Sequence, residues 1–325
     1  MKTEDIFTIS TKSEFESFAL QIFRFQAQNC LVYADFVRNL GVDVSQISRV
    51  EQIPFLPIEF FKSHTVLSVD KNPAVVFTSS GTTGSLQSKH TVTDLGVYEK
   101  SYLKTFSDAY GNITDYAILA LLPSYQEREG SSLIYMVDDL IRKSGKKDSG
   151  YFLYNHSELA ETLKRLKHSN THTLLIGVTY ALLDFAESHF MEFPELIVME
   201  TGGMKGKRRE MIREELHEIL CQGFGVPAIH SEYGMTELLS QAYSKGGGKF
   251  HCPPWMEIFI RDINDPLDIL GSDRTGGINV IDLANVNSCS FIATQDLGKL
   301  HADGSFEILG RFDNSDIRGC NLLVQ

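Results

Sequence analysis

Tyr116-Ala-Ile-Leu-Ala-Leu-Leu122 is seven residues without a charge, and two further apolar stretches follow it, Thr173-Leu-Leu-Ile-Gly-Val178 and Glu195-Leu-Ile-Val-Met199. A strand wetted on one face alternates apolar and polar residues, whereas a strand covered on both faces reads as a continuous apolar run. Helical spacing of apolar residues fills the intervals, over 131–143, 158–167 and 207–221. Strands alternating with helices predict an α/β fold with mainly parallel sheets. Towards the N-terminus, Phe15, Phe18, Ile22, Phe25, Leu31 and Phe36 recur at helical intervals, with Thr11 and Ser13 as cap candidates. Pro54 and Pro57 then force an extended entry to the body. Towards the C-terminus, short strands at 258–261, 277–283, 290–294 and 305–309 are separated by Gly, Asp and Asn turns. The organisation expected is a single domain: an α/β body over 1–254, a β-rich subdomain over 255–312 and a short tail over 313–325.

Composition narrows the function. The chain has 325 residues, enough to bury a full core. Lys and Arg number 30 against 42 Asp and Glu, a formal charge of −12 that argues against general binding to nucleic acid or an anionic membrane. Glu4, Asp5, Glu14 and Glu16 interrupt any signal-peptide core. The longest apolar run, 174–185, is broken at Thr179 and Asp184 and falls short of the ~20 residues of a membrane helix, so no span is expected. Cys30, Cys221, Cys252, Cys289 and Cys320 contain no CxxC pair and are odd in number, which suits neither a disulfide framework nor a zinc site. A reduced, cytoplasmic setting is expected.

The sharpest local feature is Phe77-Thr-Ser-Ser-Gly-Thr-Thr-Gly-Ser-Leu-Gln-Ser-Lys89, a strand running into a loop with two glycines, five hydroxyl residues within 78–83 and a lysine. Glycines let backbone N–H groups converge on an anion, hydroxyls add donors and lysine adds charge. By composition alone a surface Ser/Thr/Gly turn is an equal reading. A P-loop is excluded, because the fifth and sixth residues after Gly81 are Leu86 and Gln87 rather than Gly-Lys.

At this loop the sequence resembles the adenylate-forming superfamily of acyl-CoA synthetases, luciferases and adenylation domains, and further elements follow in that family's order. Thr201-Gly202-Gly203 follows an apolar strand, Tyr233-Gly-Met-Thr-Glu237 resembles the aromatic-Gly-x-Thr-Glu signature, Thr294-Gln-Asp296 stands for Thr-Gly-Asp, and Gly310-Arg-Phe-Asp313 for the Gly-Arg-x-Asp hinge. The resemblance implies ATP and Mg2+ as cofactors. It assigns Ser80, Gly81, Thr82, Thr83 and Gly84 to the phosphates, Gly202 and Gly203 to the adenine site, and Tyr233, beside Gly234, to adenine stacking. It further assigns Thr236 to the α-phosphate, Glu237 to magnesium, and Asp296 to the ribose hydroxyls with Arg311 close by. Lys89 is the candidate loop lysine, although the family's lysine follows the second glycine more closely. Gln295 replaces a glycine, and Asn314 replaces the second hinge acid.

Most of the superfamily carries a C-terminal lid domain after the hinge, and here the sequence stops soon after it, so the lid and its lysine are expected to be absent. The LuxE-type acyl-protein synthetases are similar in this respect and keep a cysteine close to the C-terminus. Ile53-Pro-Phe-Leu-Pro-Ile-Glu-Phe-Phe-Lys-Ser-His64 and Cys252-Pro-Pro-Trp-Met256 also resemble that branch. What it implies is an ATP-dependent ligase that activates a carboxylic, fatty acid as acyl-AMP. The acyl group passes to Cys320, whose thiolate Arg318 favours, and then to a reductase-like partner protein or a carrier thiol. Without that resemblance, a free cysteine reads more readily as a small buried apolar residue. Two alternatives stay open: an acyl- or aryl-CoA or carrier ligase without an acyl-enzyme, and a non-catalytic adenylate-binding module.

Overall fold

The computed structural model describes residues 3–79, 86–124, 128–202 and 211–312. The three apolar runs are neighbouring strands towards one edge of one large sheet. Ala117–Leu121, Thr173–Gly177 and Ile197–Glu200 lie side by side and parallel, followed by His230–Tyr233, with Gly150–Tyr151 on the other flank of Ala117–Leu121. Every residue of the first two is buried, as their lack of polar alternation requires. Helices Ser132–Ser144, His156–His168, Thr179–Ser188 and Arg213–Phe224 fill the connections. The 131–143 and 158–167 readings stand within a residue or two; of the 207–221 reading, the part up to 210 lies outside the described residues.

Beyond Tyr233 the sheet changes character. His230–Tyr233 pairs antiparallel with Ala242–Ser244, which pairs with Phe250–His251 and through it with Phe306–Arg311. Phe291–Leu300, Thr275–Asp282, Met256–Arg261 and Ile269–Leu270 complete the path, all antiparallel. The sheet is therefore mixed rather than mainly parallel, because short turns replace crossover helices after residue 233 and tight connections join only antiparallel neighbours. The strand expected at 290–294 is ten residues long and carries Thr294, Gln295 and Asp296 within it; a register shift between Leu297 and Gly298 bends it. A separate two-stranded ribbon, Val75–Thr78 with Lys89–Val92, carries the small-residue loop at its tip.

The N-terminal segment forms two helices, Lys12–Asn29 and Leu31–Asn39, broken at Cys30, which is extended at φ −89°, ψ 101°. Thr11 caps the first through a reciprocal pair with Glu14. The break throws Leu31, expected on the apolar face, to 77% exposure. Gln26, fully buried, donates to the Asn285 and Val286 carbonyls, both at 3.0 Å, and accepts from the Ser290 N–H at 2.9 Å. The helix is thereby keyed to the antiparallel half. Leu56–Pro57 adds beside Phe291–Leu300 in the same way, so the two prolines feed an added strand rather than a free linker. At the junction Trp255 is fully buried, its indole N–H shared by Ser101 and Ser240 at 3.0 Å each and its ring edge-on to Phe7.

Candidate active site

Two strands of the parallel set end at the residues singled out by sequence. Ile197–Glu200 runs into Gly202, and His230–Tyr233 runs into Gly234. Carboxyl ends of parallel strands are where open α/β sheets bind ligands. Gly202 adopts a left-handed φ of +73°, and its N–H donates to Glu200 Oε2 at 2.7 Å. That carboxylate also accepts from the Thr179 hydroxyl at 3.2 Å. Burial opposes its ionisation, but hydrogen bonds and the Arg213 charge win, and its pKa lies below the ordinary glutamate value.

The ribbon brings the residues that flank the small-residue loop to the same place. The Ser79 N–H donates to the Ser88 carbonyl at 3.1 Å and the Ser88 N–H to Ser79 Oγ at 2.9 Å, which ties the loop's two ends together. Ser80, Gly81, Thr82, Thr83 and Gly84, with Gly203 and Cys320, lie outside the described residues. Lys89 stands exposed on the second strand, opposite Thr78.

Glu237 is buried near Ser88, at the base of that loop. Burial raises its pKa, while Ser88 and the Arg311 and Lys62 charges act the other way. The Glu237 carbonyl accepts from Asn285 Nδ2 at 2.7 Å, and the next turn is pinned by fully buried Asp282. Asp282 accepts from the N–H groups of Leu239, Ser240 and Ala284 and from the Ser240 hydroxyl, at 2.6 to 3.0 Å. Thr236 presents its carbonyl to His90 Nδ1 at 2.8 Å. Burial holds the His90 pKa down at about 4, so the imidazole is neutral near pH 7 and Nδ1 carries the donated proton.

The third group sits on the antiparallel half. The Tyr233 hydroxyl donates to Asp296 Oδ2 at 2.9 Å, and Arg311 Nε approaches Asp296 Oδ1 at 3.1 Å from the cross-strand partner position. Burial lifts the Asp296 pKa against the opposing pull of Arg311, Tyr233 and Arg261. Tyr233 is buried and met edge-on by Phe306 at 5.5 Å and Phe250 at 6.0 Å. A Cβ at Gly234 would come to 2.5 Å from Glu232 Oε1, so any other residue there would displace that carboxyl. Gln295 has a use for its side chain where the family signature has none: its amide donates to Glu59 Oε1 at 2.6 Å.

No protein-family model matches the sequence, and no curated protein does. Solved structures do match. ATP-bound MatB from Rhodopseudomonas palustris is similar over 75% of this chain at 18% identity and a TM-score of 0.56. 2-Hydroxyisobutyryl-CoA ligase in the postadenylation state, with 2-HIB-AMP, is similar over 94% at 11% identity and a TM-score of 0.69. Its open conformation with 2-HIB-AMP and CoA gives 93%, 12% and 0.66. This chain has their fold. It spans 50% of the MatB chain and 70% of the ligase.

The structure thus gathers Thr236, Glu237, Tyr233, Gly234, Asp296, Arg311 and the base of the small-residue loop from segments far apart in sequence. Glu200, Asp282, Asn285 and His90 were missed. Asp282 left a legible trace, as a lone acid at the end of the apolar strand Thr275–Asp282. His90 left none, because a histidine next to a lysine after a polar loop reads as surface. Among the described residues no group of three or more His, Cys, Asp or Glu side chains could hold a metal ion, and no helix is long and apolar enough to cross a membrane.

Proposed function

We propose that the chain is an ATP-dependent, acyl-adenylate-forming ligase. The observation that carries this reading is the convergence of the closed loop base, the buried Glu237 and the Tyr233–Asp296–Arg311 cluster at the strand ends of this fold. In the proposed reaction a carboxylate oxygen attacks the α-phosphorus of ATP, the bond to pyrophosphate breaks, and acyl-AMP forms. The small-residue loop would hold the phosphates with Thr236 beside them, and Asp296 and Arg311 would fix the ribose side. Glu237 suits magnesium, which commonly takes one or two carboxylates and otherwise phosphates and waters. The ion would neutralise phosphate charge, and a buried carboxylate resisting ionisation is what a divalent cation relieves.

The finer reading follows the LuxE-type resemblance. A fatty acid is adenylated, the Cys320 thiolate attacks the acyl carbonyl, and AMP leaves as a thioester forms. The acyl group then moves to a thiol on a partner protein. A second reading has one observation in its favour, the likeness to a CoA ligase whose structure holds both 2-HIB-AMP and CoA. There CoA would accept the acyl group directly.

The test is acid-dependent ATP–pyrophosphate exchange across a panel of carboxylic acids, followed by intact mass with and without hydroxylamine. Exchange with an acid, and a hydroxylamine-labile adduct lost in Cys320→Ala, are expected. Exchange without an adduct moves the acceptor to CoA. No exchange with any acid rejects adenylation.

A further inference from the structure

Between the ribbon and the Tyr-Gly-Met-Thr-Glu turn lies a polar bridge that the adenylation reading leaves unused. His90 is on Lys89–Val92, cross-strand from Phe77 and one residue past the strand partner of Thr78, where the loop begins. Its ring is completely buried and packs edge-on against Phe61 at 5.7 Å. Nδ1 meets the Thr236 carbonyl at 2.8 Å, while Nε2 has no hydrogen-bond partner among the described residues.

A ring kept for packing alone would be better as phenylalanine, because a buried acceptor without a donor costs free energy that an apolar ring avoids. The imidazole gains one thing in exchange: an N–H aimed at the backbone between Gly234 and Glu237. Ser88, two residues before His90, is buried and lowers the pKa of the Glu237 side chain, which places it beside that carboxyl. The short segment 88–90 therefore holds the carbonyl of Thr236 and lies beside the carboxyl of the next residue, close to the loop base tied at Ser79 and Ser88.

We infer that His90 is a positioning residue for the adenylation site, acting as the Nδ1–H tautomer to lock the Thr236–Glu237 backbone against the hairpin that carries the small-residue loop. The inference rests on the adenylation reading and adds a residue to it. Phosphoryl chemistry by positioning is sensitive to displacements of about 1 Å, so releasing this backbone lowers turnover more than it weakens ATP binding.

The variants separate the two nitrogens. An asparagine amide nitrogen falls where Nδ1 does, a glutamine amide nitrogen falls nearer Nε2, and phenylalanine keeps only the ring. In acid-dependent exchange, His90→Phe should lower kcat by about 100-fold with KM for ATP changed much less, and His90→Gln should resemble it. His90→Asn should recover most of the loss, with all three compared by circular-dichroism melting. Independently of activity, 15N-histidine spectra of the full chain at pH 7 should show the His90 Nδ1 protonated, its signal assigned by its absence in His90→Asn. Full turnover in His90→Phe, equal turnover in the phenylalanine and asparagine variants, or a deprotonated Nδ1 overturns the inference. A wild-type chain without any exchange overturns the adenylation reading first and the inference with it, and is recognised because no variant is then needed.

Discussion

Glu232 shows how one side chain can set the pH response of the fold. It lies cross-strand from Tyr243, and burial, reinforced by the Glu200 carboxylate, pushes its pKa up to about 8. An acid raised in the folded state is protonated there while the unfolded chain has already ionised it. Its contribution is full below the ordinary glutamate range near pH 4.5 and is lost as pH rises towards 8. The slope is about 1.4 kcal/mol per pH unit within that window. Glu232→Gln, which cannot ionise, should flatten the decline: urea midpoints at pH 5 and 8.5 should differ less in the variant than in the parent. Equal pH dependence would show that Glu232 is ionised in the fold. At Tyr233 the expectation is different, since Tyr233→Phe removes the hydroxyl from Asp296 and leaves a buried carboxylate one donor short. A loss of about 1–3 kcal/mol is expected in denaturant unfolding, together with a raised KM for ATP if Asp296 serves the ribose. A variant as stable as the parent would mean that solvent replaces the hydroxyl.

At the scale of elements, the helix Lys12–Asn29 matters less for its length than for Gln26. That side chain reaches Asn285, Val286 and Ser290, and Asn285 in turn holds the Glu237 carbonyl. Gln26→Leu fits the apolar surroundings but strands the Val286 carbonyl and the Ser290 N–H, while the Asn285 carbonyl keeps the Ser288 N–H, so a loss of about 3 kcal/mol is expected in urea unfolding. Because the Glu237 turn is downstream of the same contacts, exchange activity should fall too; unchanged activity at lower stability would confine Gln26 to the fold. Little of this was visible in sequence. The parallel strands were, since a fully buried strand has no polar residues to disguise it. The helix break at Cys30 was not, because helical spacing continues across it and one extended residue leaves no compositional mark. The long strand Phe291–Leu300 was cut short for a related reason: an aspartate such as Asp296 reads as a turn residue, yet here it bonds Tyr233 and Arg311 across the sheet, and Gln295 beside it bonds Glu59.

For the whole molecule, the decisive feature is that one sheet joins the parallel half to the antiparallel half, and the candidate site draws residues from both. Sequence separated the halves at residue 255 by turn density, and turn density cannot report that Phe250–His251 and Phe306–Arg311 are hydrogen-bonded neighbours. A ligand bridging Glu237 and Asp296 would restrain both halves at once, and anything that binds only the folded state raises its stability by mass action. At a hundredfold excess over the dissociation constant the gain is about 2.7 kcal/mol. For a chain of 325 residues that corresponds to a rise of about 4 °C in the thermal midpoint. MgATP should therefore produce a rise of this size in wild type, and ATP with EDTA a smaller one. In Glu237→Gln the two conditions should converge, because the side chain assigned to magnesium is gone while the loop and Asp296 remain. A midpoint indifferent to MgATP at millimolar concentration would remove nucleotide binding from this site. A Glu237→Gln variant with the full magnesium increment would keep the nucleotide and move the cation to other ligands.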